Sequence, residues 1–184
     1  RGAPKIKGAG EVYASCVYAT PASAKKVKIL RNYYGKSLVI GGSGVDLNLR
    51  LDAEIEKLPP DYSLYPELGE HAMGFITRGC PSKCPFCLVP EKEGNVHQVS
   101  TLNDLLPNGQ NKLILLDDNI LSHPESGNFL EEMALRDIQV NFTQTLDIRF
   151  LNKEKIRLIR RIKCSNLKFT RRVYHFSLND TRNI

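Results

Sequence analysis

The sequence contains no apolar run that approaches the roughly 20 residues needed for a membrane-spanning helix. Its first ten residues, RGAPKIKGAG, are basic, but no apolar segment follows them to form a secretory signal peptide. These absences predict a cytoplasmic protein that has no membrane partner. Because the chain starts with Arg1 rather than with methionine, we expect a fragment or a processed product.

Cysteine is also scarce, with an odd number of five residues at uneven spacing. This pattern is unlike the disulfide framework of a small secreted domain and indicates free thiols or metal ligands. Cys16 and Cys164 are isolated, and we interpret both as buried thiols of a strand or a helix. The other three, Cys80, Cys84 and Cys87, lie close together in the segment TRGCPSKCPFCLVP.

The net charge of +6 is concentrated near the end of the sequence, in residues 151–184. A basic stripe of this kind is typical of nucleic-acid-binding surfaces. An amphipathic helix in NKEKIRLIRRIK, with Ile156, Ile159 and Ile162 on one side, would also place its charges in solvent. We favour the solvated helix face, with nucleic acid as the alternative partner.

The first third of the sequence predicts a small βαβ unit over residues 1–58. EVYASCVYA is rich in β-branched and aromatic residues, Thr20 and Pro21 form a helix start, and Gly35 forms a helix end. A second strand, SLVIGG, follows, and this order implies parallel pairing. The prolines of KLPPDYSLYP then favour extended chain, which predicts a linker over residues 59–71.

Strands and helices alternate again after the linker. Strands are predicted at residues 73–77, 112–118, 138–144 and 172–178, and helices at 101–106, 125–136 and 152–163. This alternation, with an apolar strand such as LILL, predicts an α/β fold with a buried parallel sheet. Ligands gather at the carboxyl ends of such strands, and the cysteine segment follows the first of them.

Three kinds of site use clustered cysteines. A zinc site needs a fourth ligand, for which His97 is the nearest candidate. A redox pair could use Cys84 and Cys87, but it leaves Cys80 without a role. Three thiolates on one loop suit a 4Fe-4S cluster, in which they bind three irons and leave the fourth open.

The spacing Cys80-x3-Cys84-x-Phe86-Cys87 resembles the signature of the radical S-adenosylmethionine (radical SAM) superfamily. The longer run GFITRGCPSKCPFCLVPEKEG, with PDYSLYP before it and DIRFL after it, resembles the subset that carries an N-terminal cobalamin-binding-like domain. The resemblance implies a partial (βα) barrel over residues 72–184, with about four βα units, after a Rossmann-like remnant at 1–58. The partial barrels of this superfamily have six units, so we expect an unfinished barrel.

The resemblance implies an enzyme that binds a 4Fe-4S cluster through the three cysteines and S-adenosylmethionine at the open iron. An electron donor such as flavodoxin or ferredoxin would then permit reductive cleavage to methionine and a 5′-deoxyadenosyl radical. The reaction and the substrate are unknown from these residues. The cobalamin-ligating pattern D-x-H-x-x-G is absent, so we expect no cobalamin binding. The alternative is a non-catalytic iron-sulfur or zinc-binding module that uses the same loop.

The resemblance also implies residues that contact S-adenosylmethionine near the adenine, the methionine end, and the ribose and carboxylate. Phe86 would lie against the adenine. The methionine end would contact Asp117, Asp118 and Asn119. The ribose and carboxylate would contact Gln144, Asp147 and Arg149. Each polar residue among them is equally explained as a cap or a strand-end hydrogen bond.

Overall fold

The protein divides into two compact units, Arg1–Glu56 and Lys57–Ile184. A computed structural model describes residues 10–56, 58, 60–66 and 69–178. Outside the described residues lie parts of all three predicted segments: residues 1–9 and 57 of the first domain, residues 59, 67 and 68 of the linker, and residues 179–184 of the second domain.

The first unit contains a parallel strand pair joined by a helix. Its elements are β1 (Val12–Ser15), α1 (Pro21–Tyr34), β2 (Leu38–Gly41) and α2 (Ala53–Glu56). The pairing of β1 with β2 is parallel, which confirms the predicted βαβ order. Helix α1 begins at Pro21 because Thr20 Oγ1 accepts a hydrogen bond from the Ser23 N–H over 3.1 Å. Cys16 is half-buried in the segment after β1, so its interpretation as a buried strand thiol was wrong.

The second unit contains the other strands and helices of the described residues. The strands are β3 (His71–Gly74), β4 (Thr77–Arg78), β5 (His97–Gln98), β6 (Lys112–Leu115), β7 (Gln139–Phe142), β8 (Leu146–Asp147), β9 (Lys163–Cys164) and β10 (Phe176–Ser177). The helices are α3 (Val89–Lys92), α4 (Leu102–Leu105), α5 (Ser126–Leu135) and α6 (Lys153–Arg161). The strands β3, β6, β7 and β9 form a four-stranded parallel sheet in that order. The protein therefore has an α/β fold with parallel sheets.

The core of the second unit forms where the strands and helices bury their apolar side chains together. Leu113 of β6 and Val140 of β7 are fully buried. They belong to the same cluster as Leu130 and Met133 of α5 and Ile159 of α6. Near-complete burial on a parallel sheet requires cover by helices. The strands β6 (KLIL) and β7 (QVNF) lie within the predicted segments 112–118 and 138–144.

The first strand of this sheet ends earlier than the segment 73–77 predicts. β3 ends at Gly74, and Thr77 begins the separate strand β4. The break has a local cause, because the N–H groups of Ile76 and Thr77 donate to the carboxylate of Asp117. These two groups therefore do not continue the ladder with β6.

The fourth strand of the sheet is not the segment 172–178, and that prediction was wrong. The sheet position belongs to β9, where Cys164 is buried, as is Ile162 just before it. The segment 172–178 is mostly exposed and contributes only β10, which pairs with β8 in a separate two-stranded sheet. A strand of the buried sheet requires apolar cover that this segment lacks.

The basic helix α6 packs on the core through Leu158 and Ile159, whereas Ile156 is 47% exposed. Its charges are not all solvated, since Lys155 Nζ donates to the carbonyl oxygens of Leu121 and Phe150 over 2.7 and 3.1 Å. Within the described residues, no helix has the length and apolar character needed to cross a membrane.

Tyr62, in the predicted linker, is attached to the second unit. It lies in a short 3₁₀ helix, Tyr62–Leu64, and packs against the core. Its hydroxyl accepts the N–H of Met73 over 2.9 Å and lies 3.2 Å from the carbonyl oxygens of Met73 and Leu105. This side chain therefore fastens the start of the second unit to β3 and α4.

Candidate functional site

A cavity of about 230 Å³ lies in the second unit, among residues that follow β4, β6, β7 and β8. All three clustered cysteines line it together with most of the polar residues predicted from the sequence. The lining residues are Cys80, Ser82, Cys84, Phe86, Cys87, Val89, Asp118, Asn119, Gln144, Thr145, Asp147, Arg149 and Ser177. Residues from distant parts of the sequence thus meet at one candidate site.

The cysteine loop is shaped by a short antiparallel pairing at its base. Thr77 pairs with Gln98 and Arg78 pairs with His97, so the two ends of the loop lie next to each other. Gly79 has φ +86°, and a Cβ there would lie 2.4 Å from the carbonyl oxygen of Asn95. Only glycine fits this close approach at positive φ without strain.

Backbone hydrogen bonds then direct the cysteines. The N–H of Cys80 donates to the carbonyl oxygen of Gly94 over 3.1 Å, and the N–H of Cys87 donates to that of Cys84 over 3.0 Å. The second bond closes a turn that keeps Cys84 and Cys87 close in space. The loop is therefore folded by the backbone rather than by contacts between the thiols.

Two adjacent carboxylates after β6 accept hydrogen bonds from the residues that lead into this loop. Asp117 is 5% exposed and accepts from the N–H of Ile76 over 2.8 Å and from the N–H and hydroxyl of Thr77 over 2.7 and 2.6 Å. Asp118 accepts from the N–H of Gly79 over 3.0 Å. Asp118 lines the cavity, whereas Asp117 lies outside its lining residues. The described contacts of Asp117 are thus structural, and its cofactor role stays a prediction.

Burial shifts the pKa values of both carboxyl groups. Desolvation raises the pKa of Asp117 to about 6, although the bonds from Thr77 and Ile76 act in the opposite direction. Desolvation also raises the pKa of Asp118, against the hydrogen bond from Gly79. Ionised oxygens at these positions accept from backbone N–H groups, so both side chains hold the entry to the cysteine loop.

Asn119 is a buried polar residue of the cavity that contacts one of the thiols. Its side chain is 5% exposed, and Nδ2 lies 3.3 Å from Cys80 Sγ and 3.5 Å from Asp147 Oδ2. Within the described part of the chain, Asn119 Oδ1 is buried without a hydrogen-bond partner. An unsatisfied buried acceptor costs roughly 1–3 kcal/mol, so a donor supplied by a ligand would relieve this cost.

Asp147 and Arg149 line the same cavity, next to Asn119 and the cysteine loop. Arg149 Nε donates to Asp147 Oδ1 over 2.9 Å, and Arg149 Nη2 donates to Ser82 Oγ over 3.0 Å. Burial acts to raise the pKa of Asp147, but the bonds and charge of Arg149 outweigh it, so the pKa lies below its usual range. The pKa of Arg149 is raised first by Asp147 and further by its contact with Cys84. A fixed cation therefore lies beside the thiols.

Phe86 and Gln144 occupy the open side of the cavity. The ring of Phe86 is 76% exposed. Gln144 is exposed as well and lines the same cavity. Both side chains are therefore accessible to a molecule that enters from solvent.

Sequence reasoning missed four lining residues: Ser82, Val89, Thr145 and Ser177. Ser82 carried a signal, because it lies between two of the clustered cysteines. Ser177 carried none, because it reaches the cavity only through the pairing of β10 with β8.

The three cysteines have the chemistry of iron-sulfur ligands, although their arrangement is not that of a site for a single metal ion. Thiolates bind such a cluster through different irons, so the ligands surround a cavity, and here three thiols line one. Within the described residues, no group of three or more His, Cys, Asp and Glu is arranged to hold a metal ion. His97, considered as a fourth zinc ligand, lies outside the cavity lining, and its Nδ1 lies 3.0 Å from the carbonyl oxygen of Asn95.

No protein-family model matches this chain, and no curated protein matches it significantly. The chemistry of the site is therefore what indicates a function.

Proposed function

We propose that this chain carries the cofactor-binding site of a radical SAM enzyme. In this proposal Cys80, Cys84 and Cys87 bind a 4Fe-4S cluster, and S-adenosylmethionine binds at the iron that no cysteine occupies. The observation that carries the proposal is that one cavity is lined both by the three thiols and by polar residues from the ends of neighbouring parallel strands. Substrate and reaction stay open.

The strand order supports this proposal. The four parallel strands of the main sheet follow one another in sequence order, as the strands of a (βα) barrel do. The cysteine loop follows the first strands of the second unit, and the polar residues follow the next two. A partial barrel of about four βα units, with a Rossmann-like βαβ remnant before it, is the finer fold that we propose.

The polar side chains of the cavity match the groups of S-adenosylmethionine in chemistry. Asp118 and the unpartnered Oδ1 of Asn119 are acceptors for an ammonium group. Arg149 offers a fixed cation for a carboxylate. Gln144 and Asp147 are suited to ribose hydroxyl groups, and the exposed ring of Phe86 offers an apolar surface beside an adenine.

When bound, the reduced cluster would supply one electron for the cleavage of S-adenosylmethionine, and an electron donor such as flavodoxin or ferredoxin would restore it. The residues of the chain have other tasks. The three cysteines hold the cluster, Asp118 and Gly79 fix the start of their loop, and Arg149 offsets negative charge near Cys84.

The test is a titration of the anaerobically reconstituted protein followed by electron paramagnetic resonance. We expect S-adenosylmethionine to change the spectrum of the reduced cluster, because its amino and carboxylate groups become iron ligands. Adenosine, which lacks both groups, is the control and should leave the spectrum unchanged. If the spectrum of the reduced cluster does not change at saturating S-adenosylmethionine, the result would favour the non-catalytic iron-sulfur module. Stoichiometric zinc in protein purified without oxygen would favour the zinc module.

A further inference from the structure

The amide of Asn119 has a fixed orientation between two acceptors. Asn119 follows β6, and its carbonyl oxygen accepts from both the N–H of Ser122 over 3.1 Å and the Ser122 hydroxyl over 2.7 Å. The side-chain amide then lies between Cys80 Sγ at 3.3 Å and Asp147 Oδ2 at 3.5 Å. Sulfur and carboxylate oxygen both accept hydrogen bonds, so the NH₂ group rather than the oxygen must face them.

The neighbouring residues prevent this amide from turning away. Asp147 Oδ1 accepts from the backbone N–H of Arg149 over 3.1 Å and from Arg149 Nε over 2.9 Å, so the carboxylate is held in place. Asn119 itself is 5% exposed, and turning the amide would place its oxygen against that carboxylate. The N–H···S contact with Cys80 is thus imposed by the surrounding fold.

A hydrogen bond to a cysteine that ligates iron has an electronic consequence. Reduction adds negative charge to a cluster and its thiolates, and an N–H donor stabilises the reduced form more than the oxidised form. Hydrogen bonds to the sulfurs are among the factors that set the reduction potential of iron-sulfur clusters. The effect is stronger where the donor has little contact with water, and Asn119 is 5% exposed.

We propose that Asn119 raises the reduction potential of the cluster by donating an amide N–H to Cys80 Sγ. This inference rests on the proposed function, because it requires the cluster to be held by Cys80. It assigns Asn119 a task distinct from ligand binding, since the atoms differ: Nδ2 serves the sulfur, and Oδ1 stays available to a ligand.

The first experiment is a redox titration of the reconstituted wild-type protein and of Asn119→Leu, monitored by electron paramagnetic resonance without S-adenosylmethionine. We expect a more negative midpoint potential for Asn119→Leu, because the amide donor is lost. Asn119→Gln, which keeps the donor on a longer side chain, should recover part of the shift.

The matched control is Asn141→Leu. Asn141 is also a buried asparagine, 6% exposed, but its Nδ2 donates to the carbonyl oxygen of Ser165 over 2.8 Å, and it does not line the cavity. Its replacement removes a buried amide without touching a cysteine. If both leucine variants shifted the potential equally, the shift would come from a general loss of packing in the second unit, and the inference would be overturned.

A second measurement does not depend on the folding of Asn119→Leu. Wild-type protein labelled with ¹⁵N in asparagine side chains should show a ¹⁵N hyperfine coupling to the reduced cluster, and labelled Asn141→Leu should retain it. A wild-type cluster without this coupling would overturn the inference alone. Failure of the wild-type protein to assemble any cluster would overturn the proposed function as well.

Discussion

The carboxylate of Asp117 accepts hydrogen bonds from both the backbone N–H and the hydroxyl group of Thr77, over 2.7 and 2.6 Å. Thr77 begins the strand that leads into the cysteine loop, and Asp117 follows the neighbouring strand β6. This contact therefore attaches the start of the candidate site to the parallel sheet.

Replacement of Asp117 by alanine should destabilise the protein strongly. The N–H groups of Ile76 and Thr77 would lose their acceptor in a buried place, and we expect the free energy of unfolding to fall by roughly 2–4 kcal/mol. Asp104→Ala removes an exposed capping-box residue of α4 and should cost only about 0.5–2 kcal/mol. Denaturant unfolding of both variants tests the order, and equal losses would contradict it.

The stability contributed by Asp117 should depend on pH. Because its pKa is raised from 3.8 to about 6 in the folded protein, the folded state binds the proton more tightly than the unfolded state. The contribution is complete below pH 4 and is lost as the pH rises through 6, a change on the order of 3 kcal/mol.

This pH dependence is measured as the difference in unfolding free energy between wild type and Asp117→Ala from pH 4 to pH 7. We expect the advantage of the wild type to shrink as the pH rises. A ¹³C NMR titration of the Asp117 carboxyl group should give a midpoint near 6. A midpoint at or below 4 would contradict the prediction.

Replacement of any one clustered cysteine by alanine should abolish iron and sulfide uptake. Cys80→Ala, Cys84→Ala and Cys87→Ala each remove one ligand, whereas Cys16→Ala and Cys164→Ala should retain uptake. Burial raises the pKa of Cys164 to about 11, so this thiol stays protonated in the core. Iron and sulfide analysis with visible absorption spectra checks the series. Uptake that survives in Cys84→Ala would show that the loop is not the ligand set.

Replacement of Gly79 by alanine should distort the cysteine loop. Its φ of +86° and the overlap with Asn95 O, 2.4 Å from an added Cβ, predict a loss of roughly 2–5 kcal/mol and reduced cluster uptake, since strain and overpacking each cost about 1–3 kcal/mol.

The matched control for this replacement is Gly127→Ala in helix α5. A Cβ there meets no atom within 4 Å, so stability should be unchanged or higher by up to about 1 kcal/mol, with full uptake. Thermal unfolding and iron analysis test the pair, and equal behaviour of the two variants would refute the argument.

Sequence reasoning was most successful where structure is encoded within a few neighbouring residues. Thr20 and Pro21 predict the start of α1 because a capping side chain and a fixed φ act on the next turn. The apolar segment that became β6 predicts a buried parallel strand for the same local reason. The alternation of such segments also predicts the α/β class.

The sequence determined the α/β alternation and the clustering of three thiols in one loop, since both depend on residues that are close together in the sequence. Tertiary structure decided which segment completes the sheet, because β9 rather than residues 172–178 has apolar cover. It also gave the adjacent residues Asp117 and Asp118 different contacts. Asp117 accepts a hydrogen bond from Thr77, which is 40 positions away, whereas Asp118 lines the cavity. Arg149 meets Ser82 across 67 positions. Such contacts depend on how several elements pack together, and no local pattern specifies them.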